Sequence, residues 1–227
     1  MSALRTREEQ YQSCLEARDE HGLQTLGLMS SHSWLQDPKH LVFVLSRYKF
    51  VSKMFSGLHK VLEVGCADAF GTRIVCAEVR SLTAVDFDPV FIDDIQNRKK
   101  SLHRSLETRL HDILEGPLAE DFDGVFSLDV LEHIGRDKED LFIRNMALSL
   151  HAGGVLIIGT PSASSQVHAS PESRKGHVNC KDAGELRDLL AKYFANVFVF
   201  SMNDEVVHTG FYPMAHYFFA LCCAPRR

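Results

Sequence analysis

The sequence lacks the features that mark membrane, secreted and nucleic-acid-binding proteins. No apolar run approaches the ~20 residues that a membrane-spanning helix requires, and the N-terminus is too polar for a signal peptide. The six cysteines form no Cys-x-x-Cys pair, which argues against a disulfide framework. A formal net charge of −5 gives no general attraction for a phosphate backbone. We therefore expect a cytoplasmic protein with no membrane span and no nucleic-acid partner.

The chain does have enough apolar side chain to fill one core. With 227 residues, 45% of them hydrophobic, we expect a single globular unit over residues 58–227, preceded by a helical extension over residues 1–57. Within the extension, residues 22–37 are predicted to be a loop, with Trp34 as an anchor in the core. We expect the extension to pack on the core, and a lid over a binding site is the alternative.

A strand followed by a loop of small residues organises the sequence. Residues 60–72 read K-V-L-E-V-G-C-A-D-A-F-G-T, in which a short apolar strand opens into a loop where Gly65 and Ala67 leave room for a ligand. Twenty-one residues after Gly65, a second apolar run ends in Asp86. A carboxylate at the tip of the second strand of a doubly wound α/β fold can accept hydrogen bonds from the hydroxyls of a ribose.

The same loop separates two classes of nucleoside cofactor. A dinucleotide requires G-x-G-x-x-G so that its pyrophosphate can approach the helix N-terminus, whereas this loop places Asp68 where it would repel a phosphate. The acid before the glycine, Glu63, suits a cationic ligand. The stretch resembles the first motif, (D/E)-x-G-x-G-x-G, of the class I S-adenosylmethionine-dependent methyltransferases. Glu63, Val64, Gly65 and Cys66 match that motif, and Ala67 and Ala69 replace its later glycines.

The resemblance implies a Rossmann-like α/β fold with a doubly wound, seven-stranded, mostly parallel sheet whose last strand is antiparallel. It also implies that S-adenosylmethionine is the cofactor. The residues it assigns to the cofactor, together with those suggested by the loop itself, are Arg47, Glu63, Gly65, Cys66, Ala67, Asp86, Phe87, Asp112, Ile113 and Leu128. In the family an arginine such as Arg47 pairs with the methionine carboxylate, an acid such as Asp112 accepts a bond from the adenine amine, and an apolar neighbour packs on the ring.

A second run, F-D-G-V-F-S-L-D-V-L-E-H-I over residues 122–134, carries the candidate chemistry. Asp129, Glu132 and His133 admit three interpretations: they pin a strand-to-helix turn, His133 acts as a general base, or the D-x-x-E-H pattern binds a divalent metal, as it does in related ubiquinone-type enzymes. We do not favour the metal. The polar stretch 162–181 is predicted to overhang the acceptor pocket, with His177 as a second candidate base. The candidate catalytic residues are thus His133, His177 and Asp129.

These features favour a methyltransferase that acts on a small-molecule acceptor. We expect the acceptor atom to be an oxygen of a sugar or of a nucleotide-linked or polysaccharide intermediate. N-methylation and metal-assisted methylation of a quinone or phenol are the alternatives. A dinucleotide oxidoreductase would need the missing glycine loop, and an amino-directed nucleic-acid methyltransferase would need an N/D-P-P-Y/F motif where this chain has S-L-D-V. A binding module that has lost its activity, and a homodimer, are left open by the sequence.

Overall fold

The computed structural model describes residues 4–98 and 105–226. Its β-strands are β1 (Lys60–Val64), β2 (Ser81–Asp86), β3 (Leu106–Leu110), β4 (Phe122–Leu128), β5 (Leu150–Pro161), β6 (Phe194–Asn203), β7 (Val206–His208) and β8 (Tyr217–Pro225). Its α-helices are α1 (Gln12–His21), α2 (Leu28–Gln36), α3 (Pro38–Met54), α4 (Thr72–Cys76), α5 (Pro89–Asn97), α6 (Glu139–Ser149), α7 (Pro171–Gly176) and α8 (Ala183–Ala191). Short 3-10 turns occur at Glu9–Tyr11, Leu131–His133, Ala163–His168 and Tyr212–Met214.

The described strands form one sheet in the order β3-β2-β1-β4-β5-β8-β6-β7. The five strands from β3 to β5 run parallel, while β8 pairs antiparallel with both β5 and β6. The chain reverses its direction of winding between β1 and β4, and ligands of doubly wound folds bind beyond the carboxyl ends of the strands at such a point. The fold therefore places the loops after β1, β2 and β4 around one crevice.

Two apolar layers cover the two faces of the sheet. Successive residues of a strand point to opposite faces, so Leu62 packs with the layer that includes α6 and α8, whereas Val61 packs with the layer that includes α3, α4 and α5. Tyr48 and Val51 of α3 belong to the second layer and are buried. Packing in this apolar layer thus holds helix α3 next to the loops at the ends of the strands.

The described part of the sheet has one strand more than the seven predicted. The difference is β7, a three-residue edge strand that pairs antiparallel with β6. Asp204, in the turn between them, has a φ of 49°, a left-handed conformation that aspartate tolerates better than most residues. The prediction of a mostly parallel, Rossmann-like sheet with the last strand antiparallel is confirmed.

The N-terminal region also differs from the prediction. Residues 22–37 contain helix α2, and Trp34 is 54% exposed, so the predicted loop and the predicted core position of Trp34 are both wrong. The sequence has no capping residue before Leu28, and the acceptors for the first turn of α2 come from distant segments. No helix among residues 4–98 and 105–226 has the length and apolarity to cross a membrane. The boundary at residue 57 stays a prediction.

Candidate active site

The loop after β1 is held in a conformation that suits a closely approaching ligand. Gly65 has a φ of 79°, and a Cβ there would lie 2.3 Å from a methyl carbon of Val130. Ala67 and Ala69 also have positive φ, at 45° and 52°, an arrangement that costs roughly 1–2 kcal/mol per non-glycine residue. The backbone N–H of Ala67 donates to Asp86 Oδ2 at 2.9 Å, which ties the loop to the tip of β2.

Asp86 lies where the sequence predicts a ribose-binding acid. Its side chain is buried, and its other oxygen accepts a bond from the N–H of Asp88 at 2.9 Å. A carboxylate oxygen has two acceptor sites, so each oxygen retains one for a ligand hydroxyl. Phe87 beside it is 70% exposed. The ribose contact stays a prediction, and the position at the crevice is consistent with it.

Glu63 and Cys66 lie inside the wall of the crevice. Glu63 is buried and accepts hydrogen bonds from the hydroxyls of Tyr48 (2.9 Å) and Thr72 (2.6 Å). Burial raises the pKa of Glu63 to about 7, against the lowering effect of these two bonds. Burial likewise raises the pKa of the Cys66 thiol well above its usual range. Glu63 thus holds the end of β1 against α3 and α4, while Cys66 packs in the apolar layer that includes those helices. The predicted cofactor contacts of both residues stay predictions.

Arg47 reaches the crevice from α3 and meets a carboxylate. Its Nη1 donates to both oxygens of Asp129 at 2.7 Å, and its guanidinium carbon lies 4.0 Å from the centre of the Tyr217 ring. Burial is the largest single influence and lowers the pKa of Arg47, but the charge and hydrogen bonds of Asp129 together with Tyr217 and Glu132 raise it overall. The buried Nε of Arg47 has no hydrogen-bond partner among the described residues. Asp129 itself has a φ of 58°, directly after β4.

The predicted adenine-binding residues follow β3. Asp112 Oδ1 accepts a bond from the N–H of Leu114 at 2.8 Å, which shapes the turn. Ile113 is buried, and its carbonyl accepts a bond from the Asn145 amide at 2.6 Å. Leu128, at the end of β4, is buried as well. The contacts of Asp112, Ile113 and Leu128 with a cofactor stay predictions.

The polar segment 162–181 returns to the D-x-x-E-H turn. The carbonyl of Glu132 accepts bonds from the N–H groups of Val178 (2.8 Å) and Asn179 (3.0 Å). This brings the rings of His133 and His177 to a centroid distance of 5.1 Å. The two histidines predicted as candidate bases are thus neighbours, while Asp129 turns away from them to Arg47.

The electrostatics of this turn favour a neutral imidazole beside an uncharged carboxyl. Burial, and then the charge of Asp129, raise the pKa of Glu132 to about 8. Burial, and then His133, lower the pKa of His177. A neutral imidazole has one nitrogen with a free electron pair, which can accept a proton or bind a metal.

Several residues that build the site carry no signal in the sequence. The side chain of Lys181 is buried and pairs with Glu139 at 2.7 Å and with Asn179 at 3.1 Å, which fixes the returning segment. Asp68 accepts bonds from the N–H (2.6 Å) and hydroxyl (3.1 Å) of Ser30 in α2. Ser30 and Asp68 are 38 positions apart in the sequence, and Lys181 is a buried lysine whose partner Glu139 lies in helix α6. No local sequence pattern predicts either pair.

This geometry defines a class of protein. A doubly wound sheet, an acid at the tip of the second strand and a small-residue loop without the phosphate-binding glycines are the features of a Rossmann-like, class I methyltransferase fold. Residues 62–158 match the family model described as a methyltransferase domain. Over residues 62–158 the chain is therefore similar to a methyltransferase domain, and its fold is that of the class I S-adenosylmethionine-dependent methyltransferases.

Named relatives agree with this assignment over part of their length. A probable S-adenosylmethionine-dependent methyltransferase of Mycobacterium tuberculosis is 28% identical over 103 residues, 45% of this chain and 35% of that protein. The mitochondrial ubiquinone biosynthesis O-methyltransferase of Schizosaccharomyces pombe is 32% identical over 112 residues, 48% of this chain and 39% of that protein. The matched segments thus span less than two fifths of these curated relatives.

A solved structure shares the fold over most of the chain. The N-methyltransferase NodS of Bradyrhizobium japonicum, in complex with S-adenosylhomocysteine, gives a TM-score of 0.60 at 22% identity, covering 81% of this chain and 86% of that one. At this level of identity the likeness concerns the fold alone.

Proposed function

We propose that this protein transfers the methyl group of S-adenosylmethionine to an oxygen of a small-molecule acceptor. The observation that supports the proposal most is that the matched methyltransferase segment, residues 62–158, contains Asp86 and Asp129, which flank one crevice. Asp86 offers free acceptor sites for the ribose, and Arg47 offers a guanidinium for the methionine carboxylate. The two ends of the donor therefore have partners of matching chemistry.

In this arrangement the adenine lies toward Asp112 and Ile113 and the sulfonium lies near the end of β4. Methyl transfer from a sulfonium is an in-line displacement, so the protein's main task is to hold donor and acceptor at near-attack distance. The sulfonium charge disappears as the reaction proceeds, and a crevice that excludes water favours that change. The carbon–sulfur bond breaks as the carbon–oxygen bond forms, and the acceptor's proton is lost.

We place the acceptor hydroxyl at the His133–His177 pair. These imidazoles lie on the turn that directly follows β4 and on the segment that returns after β5, which is the side of the crevice that the proposed cofactor position would leave open. Their nitrogen electron pairs provide the means to remove the acceptor's proton. Asp129, the third catalytic candidate, serves to hold Arg47 until the cofactor's carboxylate arrives.

We favour a hydroxyl-rich acceptor such as a sugar or a nucleotide-linked saccharide, because the segment after β5 is rich in hydroxyl and imidazole groups. A pocket of about 150 Å³ lies between the turn at Ala163–His168 and the turn at Tyr212–Met214, and Ser164, Ser165 and His216 contribute to its lining. The hydroxyl and imidazole groups there can exchange hydrogen bonds with sugar hydroxyls. A quinone or phenol acceptor is the second candidate, because one relative is named as a ubiquinone biosynthesis O-methyltransferase.

Calorimetry tests the first half of the proposal. S-adenosylmethionine and S-adenosylhomocysteine should bind with one site per chain, and NAD should not bind. The second half requires a panel of nucleotide sugars, free saccharides, catechols and amines, with release of S-adenosylhomocysteine as the readout. Failure of S-adenosylmethionine to bind, or binding of NAD in its place, would overturn the proposal; turnover of amines alone would overturn the choice of oxygen.

A further inference from the structure

Three side chains with metal-ligating atoms converge beside the crevice. Glu132 and His133 belong to the turn after β4, and His177 follows α7 in the segment that folds back on it. One ligand-capable atom from each of the three lies within 4.8 Å of the other two. The sequence suggested a different set, Asp129 with Glu132 and His133, and the structure separates Asp129 from it.

The two imidazoles are oriented as metal-binding histidines usually are. His133 Nδ1 lies 2.9 Å from the carbonyl oxygen of Gly176, and His177 Nδ1 lies 2.7 Å from Gln166 Oε1. An oxygen acceptor at Nδ1 fixes the proton there and leaves the electron pair on Nε2. Metal-ligating histidines are held by this kind of bond from the other ring nitrogen. Both rings therefore keep Nε2 available for one ligand.

Glu132 adds a buried carboxylate to the two nitrogens. Its side chain is 1% exposed, and its one hydrogen bond among the described residues comes from the Thr160 hydroxyl at 3.1 Å. A carboxyl group in such buried surroundings favours its neutral form, and a bound cation would stabilise the carboxylate form that serves as a ligand. Its backbone carbonyl holds the N–H groups of Val178 and Asn179, so the position of His177 relative to Glu132 is set by the main chain.

The carboxylate of Asp129 is paired with Arg47 and is therefore not free to bind a metal ion. Both of its oxygens accept bonds from Arg47 at 2.7 Å, and its positive φ directs the side chain to that partner. A carboxylate whose two oxygens are held by a guanidinium has given up its strongest sites for a metal. The D-x-x-E-H pattern therefore predicts a ligand role for Asp129 that the structure does not support. The third ligand is instead His177, which lies 44 positions after His133.

We propose that Glu132, His133 and His177 together bind one divalent transition-metal ion, with Asp129 outside the ligand set. Two imidazoles and one carboxylate favour Zn²⁺, Co²⁺ or Fe²⁺ over Mg²⁺, which prefers oxygen ligands. Atoms that bind one ion at about 2.1 Å lie at most about 4.2 Å apart, so the three groups need to close by less than roughly 1 Å. This site rests on the proposed function and changes one step of it: with the ion bound, the Nε2 electron pairs of His133 and His177 are metal ligands and no longer proton acceptors. The ion would instead lower the pKa of an acceptor hydroxyl that coordinates it, so that the hydroxyl loses its proton to solvent.

Titration with Co²⁺, followed by its visible absorption, tests the proposal on the whole chain without cofactor or acceptor. The wild type should bind one Co²⁺ with the spectrum of a nitrogen- and oxygen-ligated ion, and Zn²⁺ should displace it. His177→Gln should weaken binding at least 10-fold, while Asp129→Asn should change it less than threefold. His177 is only partly buried, so His177→Gln should keep the wild-type melting temperature in the absence of metal.

His168→Gln serves as the matched control, because His168 lies in the same segment and outside the cluster. Equal weakening by His168→Gln and His177→Gln, loss of binding only in Asp129→Asn, absence of stoichiometric binding, or a cobalt–thiolate band abolished by Cys180→Ser would each overturn the proposal. Calorimetry with S-adenosylmethionine on metal-free protein distinguishes a failure of the metal site from a failure of the proposed methyltransferase function. Cofactor binding without metal binding refutes the metal site and leaves the proposed function standing.

Discussion

At the scale of single residues, the proposed cofactor carboxylate would compete with Asp129 for Arg47. The guanidinium is enclosed by α3, the ring of Tyr217 and Asp129, and a buried cation of this kind needs an anionic partner. Asp129 provides it in the structure, at the place where the methionine carboxylate is proposed to bind. Under this proposal the cofactor's carboxylate would take the place of the Asp129 carboxylate at Arg47, and the Asp129 side chain, which is already 31% exposed, would turn to solvent.

Asp129→Asn should therefore act in opposite directions on stability and on cofactor affinity. The variant leaves Arg47 with a neutral partner, so we expect the free protein to have a lower melting temperature. We also expect the dissociation constant for S-adenosylmethionine to be several-fold lower. Calorimetry and thermal unfolding measure the two effects. Adenosine, which has no carboxylate, should bind both proteins equally, and weaker binding of S-adenosylmethionine to the variant would contradict the exchange.

Asp86→Ala tests the other end of the donor. The substitution removes the acceptor for the ribose hydroxyls, and we expect S-adenosylhomocysteine to bind about 1–3 kcal/mol more weakly, the usual cost of losing hydrogen bonds to a charged group. Asp93→Ala, an exposed acid in the neighbouring helix α5, should leave the affinity unchanged. Because adenosine carries the same ribose hydroxyls, it should lose affinity with the variant too, whereas free methionine should not. Unchanged affinity for S-adenosylhomocysteine would remove Asp86 from the site.

At the scale of elements, α2 depends on acids from the core rather than on its own sequence. A helix leaves its first N–H groups without partners inside the helix, and here Asp68 accepts that of Ser30 while Asp94 accepts that of Leu28 at 3.4 Å. A Cβ at Gly27 would lie 2.3–2.5 Å from atoms of Asp68, so glycine permits this close contact. Helix α2 is thus fastened to the loop that is proposed to hold the cofactor.

This attachment explains why the sequence predicts β1, β2 and β4 well and α2 poorly. The strands are apolar runs bounded by small or acidic residues, and that signal is local. The capping acid of α2 lies 38 positions from Ser30, and Trp34, Leu35 and Met29 are exposed rather than packed in the core. A local pattern search consequently finds neither the helix nor its partner.

Asp68→Ala should release α2. We expect faster chymotrypsin cleavage at Trp34, because the first turn of the helix loses its acceptor, and a fall of about 1–3 kcal/mol in the free energy of unfolding from the broken charged hydrogen bonds. Asp19→Ala, an exposed acid of α1, is the control and should change neither quantity. Cleavage of the Asp68→Ala protein at the wild-type rate would show that packing alone holds α2.

At the scale of the whole molecule, the sequence predicts the architecture and only half of the candidate site. The acids at the tips of β2 and β4 follow from strand endings, because parallel strands end at one edge of the sheet. The meeting of His133 with His177 does not, since it depends on the bonds from Val178 and Asn179 to the carbonyl of Glu132 and on the buried pair that Lys181 makes. Contacts between residues that are distant in the sequence, rather than the residue types alone, therefore bring the two histidines together.

The buried carboxyl of Glu63 links global stability to pH. Its folded pKa of about 7 lies above the ordinary value of 4.5, mainly because of burial, so the folded state binds this proton more tightly than the unfolded state does. The resulting stabilisation is complete below pH 4.5 and disappears as the pH rises through 7. Glu132, with a pKa raised to about 8 by burial and then by Asp129, acts in the same direction.

Glu63→Gln should consequently flatten the pH dependence of folding. The wild-type free energy of unfolding should fall between pH 5 and pH 8, and the variant should lose about 2–3 kcal/mol of that fall, the value of roughly two pKa units. Urea unfolding at half-unit pH steps measures both slopes, with Glu20→Gln, an exposed glutamate of α1, as the control that keeps the wild-type slope. If Glu63→Gln retains the full slope, the carboxyl of Glu63 is already ionised in the folded state at pH 5, and the Tyr48 and Thr72 hydroxyls stabilise its charge more than burial opposes it.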